Sequence, residues 1–225
     1  MKASKNTTTA ILFGFEHVAT IRAVCFDAFG TVVEIADKRR PFQKLLHNDY
    51  DDVSVRAMTQ PIGLRALASQ LQPGPQDEMV DKLEEDLAAE CASIVVRQGM
   101  KLVWEALKRA QLKIAICSNL AVPYAVPMIR ALPGTPDGLV LSYRVGLMKP
   151  HKDIYSIVAS QLDLKISQIL FVGDRMEEDV LGPIAAGASA MPIEEFAMSL
   201  NGAPSIYAPA NVRELFGRIS AARVG

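Results

Sequence analysis

The chain has 225 residues, 50% of them hydrophobic, with 24 Lys+Arg against 25 Asp+Glu and a formal net charge of -1. That length and apolar content suffice for a substantial core, and so even a charge balance exerts no long-range pull toward nucleic acid or an anionic membrane. Cys25, Cys91 and Cys117 lack paired spacing, which argues against a disulfide framework and fits a reducing cytoplasm, and no Cys/His cluster suggests zinc.

In chain order, Lys2 and Lys5 precede an apolar patch from Ala10 to Phe15 that Glu16 and His17 interrupt. It is too short for a signal-peptide core or for the ~18 residues of a membrane span, and reads as an arm or an extra edge element. The first strand is expected at Ala23-Val-Cys-Phe26. From Glu34 to Val96 no strong strand run appears; Leu64, Leu67, Ala68 and Leu71, then Leu83, Leu87 and Cys91, recur at helical spacing, and Pro61, Pro73 and Pro75 punctuate the segment. This predicts a small helical unit inserted after the first strand. Thereafter strands and helices alternate. Strands are expected at Lys113–Cys117, Gly138–Leu141 and Ile169–Val172, with weaker candidates at Ala188–Met191 and Ser205–Tyr207. Helices are expected over 98–111, 121–132, 151–162 and 177–187, and a closing one from Asn211. Short continuous apolar runs suit strands buried on both faces. The alternation predicts an α/β fold with a parallel sheet and helices on both sides. Ligands bind outside the carboxyl ends of such strands, so the residues just after each run carry the functional information.

The first run ends in Phe26-Asp27-Ala28-Phe29-Gly30-Thr31, a tight turn that would expose a carboxylate; alone, Asp27 would pass for a loop aspartate. The next ends in Cys117-Ser118-Asn119, whose hydroxyl and amide can donate to an anion or simply cap the following helix. In Gly146-Leu-Met-Lys149-Pro150, Pro150 can begin a helix, which places Lys149 at its positive end. A lysine there calls for a nearby anion. Ile169–Val172 leads into Gly173-Asp174-Arg175-Met176-Glu177-Glu178-Asp179. The helix dipole accounts for Glu177, Glu178 and Asp179 but less well for Asp174, right at the strand end. Together with Asp27, these carboxylates make a hard-oxygen site of the kind magnesium prefers.

Each signal is modest; their conjunction and order resemble the four motifs of the haloacid dehalogenase superfamily, over about Ala23 to Gly187. The resemblance implies a Rossmann-like core from 1–33 and 97–225, with a helical cap over 34–96. It implies Asp27 as a nucleophile forming a covalent aspartyl intermediate, with Thr31 in the same motif. Ser118, with Asn119 beside it, would hold the substrate anion, and Lys149 would offset charge on Asp27 and the transferred group. Magnesium would be held by Asp27, Asp174 and the backbone carbonyl of Phe29, with Asp179 as an orienting partner behind them. The partner implied is a small anionic substrate, and a homodimer is compatible with the near-zero charge.

One position departs from the phosphatase pattern Asp-x-Asp-x-Thr. Phe29 stands where the second aspartate would protonate the leaving group, and a missing general acid typically costs ~10²–10⁴ in rate. Asp-Ala-Phe-Gly-Thr instead resembles the first motif of 2-haloacid dehalogenases, whose halide leaves without a proton. Tyr155 matches a dehalogenase feature, and Arg56, with Arg39, Arg40 and Arg65 competing, is the positional candidate for assisting halide departure. Gly173-Asp174 and Asp179 resemble the metal-dependent branch. The readings in contention are therefore a magnesium-dependent phosphoryl hydrolase, a metal-independent 2-haloacid dehalogenase, another carbon-directed or phosphonate hydrolase, and a weakly catalytic ligand-binding relative.

Overall fold

Residues 19–46, 50–202 and 208–224 are described by the computed structural model. The N-terminal apolar patch and the strand candidate Ser205–Tyr207 lie outside them. Strand β1 (Ala23–Phe26) is buried along its whole length, because none of its side chains needs water on either face. The chain then forms β2 (Val33–Ile35), runs through α1 (Pro41–Leu45), α2 (Tyr50–Thr59), α3 (Leu64–Ala68) and α4 (Asp77–Ala92), and returns in β3 (Ile94–Val96), antiparallel to β2. This ribbon is not expected from the sequence, since three-residue strands are too short to display a period. Between its strands the helices build their own core, in which Leu64, Leu67, Leu83 and Leu87 are buried.

The remaining elements are α5 (Met100–Arg109), β4 (Lys113–Ser118), α6 (Val122–Ala131), β5 (Gly138–Leu141), α7 (Ser142–Val145), α8 (Lys152–Leu162), β6 (Ile169–Gly173), α9 (Gly182–Ala185), β7 (Ser189–Pro192), α10 (Ile193–Asn201) and α11 (Ala210–Val224). Five strands form a parallel sheet in the order β5-β4-β1-β6-β7. Alternate residues supply its two faces. Val24, Phe26, Ile116 and Val172 face one core with Leu107, Phe196 and Phe216 from α5, α10 and α11. Cys25, Ala115, Cys117 and Phe171 face the other with Ile154, Tyr155 and Val158 of α8. The expected α/β architecture is thus observed, and the cysteines are free. No helix of the described residues is long and apolar enough to cross a membrane.

Two local expectations need correction. Pro150 does not begin a helix: α8 starts at Lys152, where the His151 side chain caps it by accepting the Asp153 N–H at 3.3 Å. The helix expected over 177–187 is instead a π-helical stretch, Met176–Leu181, followed by α9. Pro183 has no N–H to return to the carbonyl of Asp179, which interrupts an α-helical ladder at this point.

Candidate active site

The sheet order leaves β1 central, with the chain running outward to β4 and β5 on one side and to β6 and β7 on the other. Such a reversal opens a crevice at the carboxyl ends of the inner strands. Asp27 stands there, its N–H donating to the Val172 carbonyl at 2.9 Å, one rung beyond the β1–β6 ladder. Ser118 is the buried last residue of β4, and Asp174 follows β6 directly. Lys149 enters from the connection between α7 and α8 and is 4% exposed. Its Nζ donates to Asp27 Oδ1 at 2.7 Å and to Asp179 Oδ1 at 2.6 Å. These two carboxylates are the anions that the isolated lysine called for.

The turn after β1 is tightly wound, with the Ala28 carbonyl accepting from Val32 at 2.8 Å and Val33 at 2.9 Å. Gly30 takes φ +83, and a Cβ there would overlap the Asp174 carboxylate; a Cβ at Gly173 would overlap that of Asp179. Both glycines therefore let carboxylates approach the backbone closely. The Gly30 carbonyl accepts from Arg97 Nη1 at 2.7 Å. Thr31 is fully buried, and its Oγ1 has no hydrogen-bond partner among the described residues. Asp179 completes the cluster: its Oδ2 accepts the Arg175 N–H at 3.0 Å. Asp27, Asp174 and Asp179 each bring an oxygen within 4.8 Å of the others. An all-oxygen set of this kind fits a hard divalent cation such as magnesium.

The electrostatics arise from three carboxylates sharing one ammonium. Burial pushes the Asp27 carboxyl up, and the charges of Asp179 and Asp174 reinforce this against the opposing effect of Lys149. Asp174, largely exposed, is raised as well, by the partial loss of water around it and then by Asp179. Burial would lower Lys149, but the charges of Asp27 and Asp179 outweigh it and hold the ammonium above its ordinary range. A raised Asp27 favours a neutral acid while a raised Lys149 requires charged ones. The lysine stays charged, and the excess negative charge is relieved at Asp27 and Asp174, the two raised acids.

Asn119 departs from its expected place as a donor beside Ser118. Its Nδ2 donates to the Lys149 carbonyl at 2.9 Å and its Oδ1 accepts the Lys149 N–H at 2.8 Å, so the amide grips the lysine's backbone. Phe29 turns its ring edge-on to Tyr124 at 5.9 Å. Tyr155 is wholly buried, its hydroxyl donating to the Glu178 carbonyl at 2.7 Å. Arg56 donates to Gln70 Oε1 at 3.0 Å, Arg39 pairs with Asp37 and Asp86, and Arg65 pairs with Asp81. Of the four competing arginines, Arg40 is the one that lines a cavity of about 350 Å³ together with Phe29 and Asn119. Tyr124 completes the sheet side of this cavity, and Met58 and Glu90 contribute from the helical insert. A separate hollow of about 240 Å³ between α5 and α10 contains none of the strand-end residues.

Glu90 and Tyr124 are absent from the residues that the sequence singles out. Glu90 had a signal: it follows Leu83 and Leu87 on the apolar stripe of α4, where a carboxylate is out of place unless bonded. Its Oε2 accepts the N–H groups of Arg39 at 3.0 Å and Arg40 at 2.7 Å. Burial, followed by the charge of Glu90, raises the Tyr124 phenol strongly. Tyr124 gave no signal, being one aromatic among the apolar residues of α6.

A parallel sheet with carboxylates and a lysine gathered at its carboxyl edge defines an α/β enzyme with an acidic strand-end site. The family model of haloacid dehalogenase-like hydrolases matches residues 21–187, and the chain belongs to that family. No curated protein matches the chain in sequence. Among solved structures, it is similar to a haloacid dehalogenase family hydrolase from Deinococcus radiodurans R1 with bound phosphate and sodium, at 24% identity and TM-score 0.53, covering 77% of this chain and 81% of that one. A family enzyme from Bacteroides thetaiotaomicron, complexed with magnesium and inorganic phosphate, is similar at 16% identity and TM-score 0.56, covering 76% and 93%. The L-2-haloacid dehalogenase from Xanthobacter autotrophicus with chloropropionic acid covalently bound is similar at 20% identity and TM-score 0.55, covering 87% and 88%. At these identities the likeness is one of fold.

Proposed function

We propose that this hydrolase acts on small-molecule phosphates with the help of magnesium, through a covalent intermediate on Asp27. The observation that carries the reading is the cluster in which Asp27, Asp174 and Asp179 lie within 4.8 Å of one another around the single ammonium of Lys149. That arrangement repels an incoming phosphoryl group unless a divalent cation balances it. Asp27, Asp174 and the Phe29 carbonyl would hold magnesium, with Asp179 orienting them, and the ion would neutralise charge on the transferred group. The Bacteroides thetaiotaomicron relative with magnesium and phosphate supports this choice of ion.

In the proposed reaction Lys149 holds the Asp27 carboxylate at 2.7 Å and disperses its charge. Asn119 fixes Lys149 by gripping its backbone, and so acts through the lysine. An Asp27 oxygen forms a bond to phosphorus while the bond to the leaving oxygen breaks, and the leaving group keeps the electron pair. Ser118, at the end of β4, donates to the substrate oxygens, and Thr31 supports the nucleophile turn from within. Water then cleaves the phosphoaspartate and restores Asp27. Phe29 carries no proton for the leaving group. The substrates that suit the site are therefore acyl phosphates, anhydrides and aryl phosphates, whose leaving groups depart as stable anions.

The test is phosphate release from aryl and acyl phosphates, with magnesium and with a chelator. Metal-dependent release, abolished in Asp27→Asn, is expected. The second reading, a 2-haloacid dehalogenase, draws on Phe29 at the place of the acid and on the Xanthobacter autotrophicus relative. It is weakened because the Tyr155 hydroxyl already has a partner of its own, the Glu178 carbonyl. Halide release from 2-chloropropionate, indifferent to the chelator, would establish it in place of the first.

A further inference from the structure

We propose that Arg97 is a positioning residue for the metal-binding turn: its guanidinium holds the Gly30 carbonyl, and through that bond the affinity for magnesium depends on how the helical insert is seated. The proposal rests on the reading that Asp27, Asp174 and the Phe29 carbonyl hold magnesium. It adds a residue that acts through the backbone of the turn.

Gly30 stands between two parts of the proposed site. Its nitrogen is bonded to the carbonyl carbon of Phe29, and its Cα lies so close to Asp174 that a Cβ would overlap the carboxylate. A displacement of Gly30 therefore moves one oxygen ligand and changes the room left for another. Much of the turn is closed by its own backbone: the Ala28 carbonyl accepts from Val32 and Val33, and the Gly30 N–H donates to the Val33 carbonyl at 2.9 Å. The Gly30 carbonyl is held from outside the turn, by Arg97 Nη1 at 2.7 Å. A charged donor makes a stronger hydrogen bond to a carbonyl than a neutral one.

Arg97 delivers that donor from a fixed place. Its own N–H donates to the Val32 carbonyl at 2.9 Å, and its carbonyl accepts the Met100 N–H at 3.1 Å, where α5 begins. Backbone and side chain of one residue thus grip the turn at Val32 and at Gly30. Arg97 also follows β3 directly, where the chain leaves the insert for the sheet. In the β2–β3 ribbon Val96 pairs with Val33, whose carbonyl the Gly30 N–H meets. A shift of the ribbon consequently reaches Gly30 by two routes, through Val33 and through the Arg97 guanidinium. The first operates with any residue at position 97, whereas the second needs a long cationic donor, so the two are separable by substitution. Coupling of this kind is reciprocal: if the Arg97 contact favours bound magnesium, bound magnesium favours the contact.

The experiment measures magnesium binding by calorimetry, without substrate, on the wild type, Arg97→Met and Arg97→Lys. Methionine is chosen because Arg97 also lines the hollow between α5 and α10, where a flexible stem limits the loss of packing. Arg97→Met is expected to weaken magnesium binding about tenfold, as loss of a supporting group does, and Arg97→Lys to recover part of the loss. Release of phosphate from phenyl phosphate at limiting magnesium should fall by about the same factor, and saturating magnesium should restore most of it. Magnesium should also raise protection against amide exchange at the Gly30 and Arg97 N–H groups of the wild type, and raise it less at both positions in Arg97→Met. A purely structural role would lower the urea midpoint of the metal-free protein and leave magnesium affinity unchanged, and that pattern overturns the proposal. A loss in Arg97→Met with no recovery in Arg97→Lys would assign the effect to packing and overturn it as well. Should Arg97→Met not fold, Arg97→Leu takes its place with the same expectations. A wild type that binds no magnesium would remove the metal from the proposed function and this inference with it. Wild-type binding that Arg97→Met leaves unchanged would remove only the role of Arg97.

Discussion

Gly30 and Gly173 determine how closely the carboxylates crowd, since a Cβ on either would overlap an aspartate of the cluster. Gly30→Ala would combine that overlap with the left-handed strain of φ +83, a penalty of about 1–2 kcal/mol. We expect it to weaken magnesium binding by about 10- to 100-fold, as disturbed supporting groups of metal ligands do. A magnesium titration of the thermal midpoint checks this, and an unchanged curve would show that the Gly30 turn is not part of the site. Lys149 is the other decisive residue. Lys149→Met leaves Asp27 and Asp179 buried without their counter-charge, which is expected to destabilise the protein by about 3–5 kcal/mol. Urea unfolding of the metal-free protein measures it, and a wild-type midpoint would mean that the two acids are neutral in the fold.

At the scale of elements, α4 links the helical insert to the chain entering it. Its Asp86 and Glu90 are buried on the face that also carries Leu83 and Leu87. The hydrogen bond from Lys44, at 2.7 Å, holds the Asp86 carboxyl below its ordinary range, with Arg39 adding to the effect. A carboxyl depressed in the folded state stabilises that state above its unfolded pKa, about 3.9, and the contribution is lost as pH falls through the folded value. Protection against amide exchange in α1 and α4, taken relative to the intrinsic rate at each pH, should therefore fall in acid below about pH 4, and Asp86→Asn should remove that part of the pH dependence. Equal acid sensitivity in the variant would assign the effect to other groups. On the sheet side, α5 packs the fully buried Leu107 against β4 and β1. Leu107→Ala is expected to destabilise by about 2–5 kcal/mol, measurable by chemical denaturation.

For the whole molecule, the order β5-β4-β1-β6-β7 gathers residues 122 and 30 positions apart, Asp27 to Lys149 and Lys149 to Asp179, around one crevice. A ligand that binds only this assembled crevice must stabilise the entire fold. Magnesium at about a hundredfold above its dissociation constant should add about 2.7 kcal/mol. Asp174→Asn should abolish most of that gain while leaving the metal-free stability close to wild type, because Asp174 is exposed. Differential scanning calorimetry separates the two effects. A wild type indifferent to magnesium would remove the metal from the proposed mechanism.

The parallel α/β core and the residues at its strand ends were legible in the chain alone. Continuous apolar runs such as Ile169–Val172 have few other uses, and chain connectivity places Gly173 and Asp174 directly at the end of that strand. The helical insert was legible for the same reason, through Leu64, Leu67, Leu83 and Leu87, whose spacing is local. The β2–β3 ribbon was not, because three residues show no period. The π-helical stretch at Met176–Leu181 was not, because Pro183 marks a break in an α-helical ladder without specifying the wider bonding that replaces it. Long-range packing was needed to establish that Asn119 grips Lys149 and that Tyr155 bonds the Glu178 carbonyl. It was needed equally to bring Arg40, Glu90 and Tyr124 into one cavity. Those relations join residues far apart in the chain, and side-chain partners across elements leave no local pattern by which a sequence could announce them.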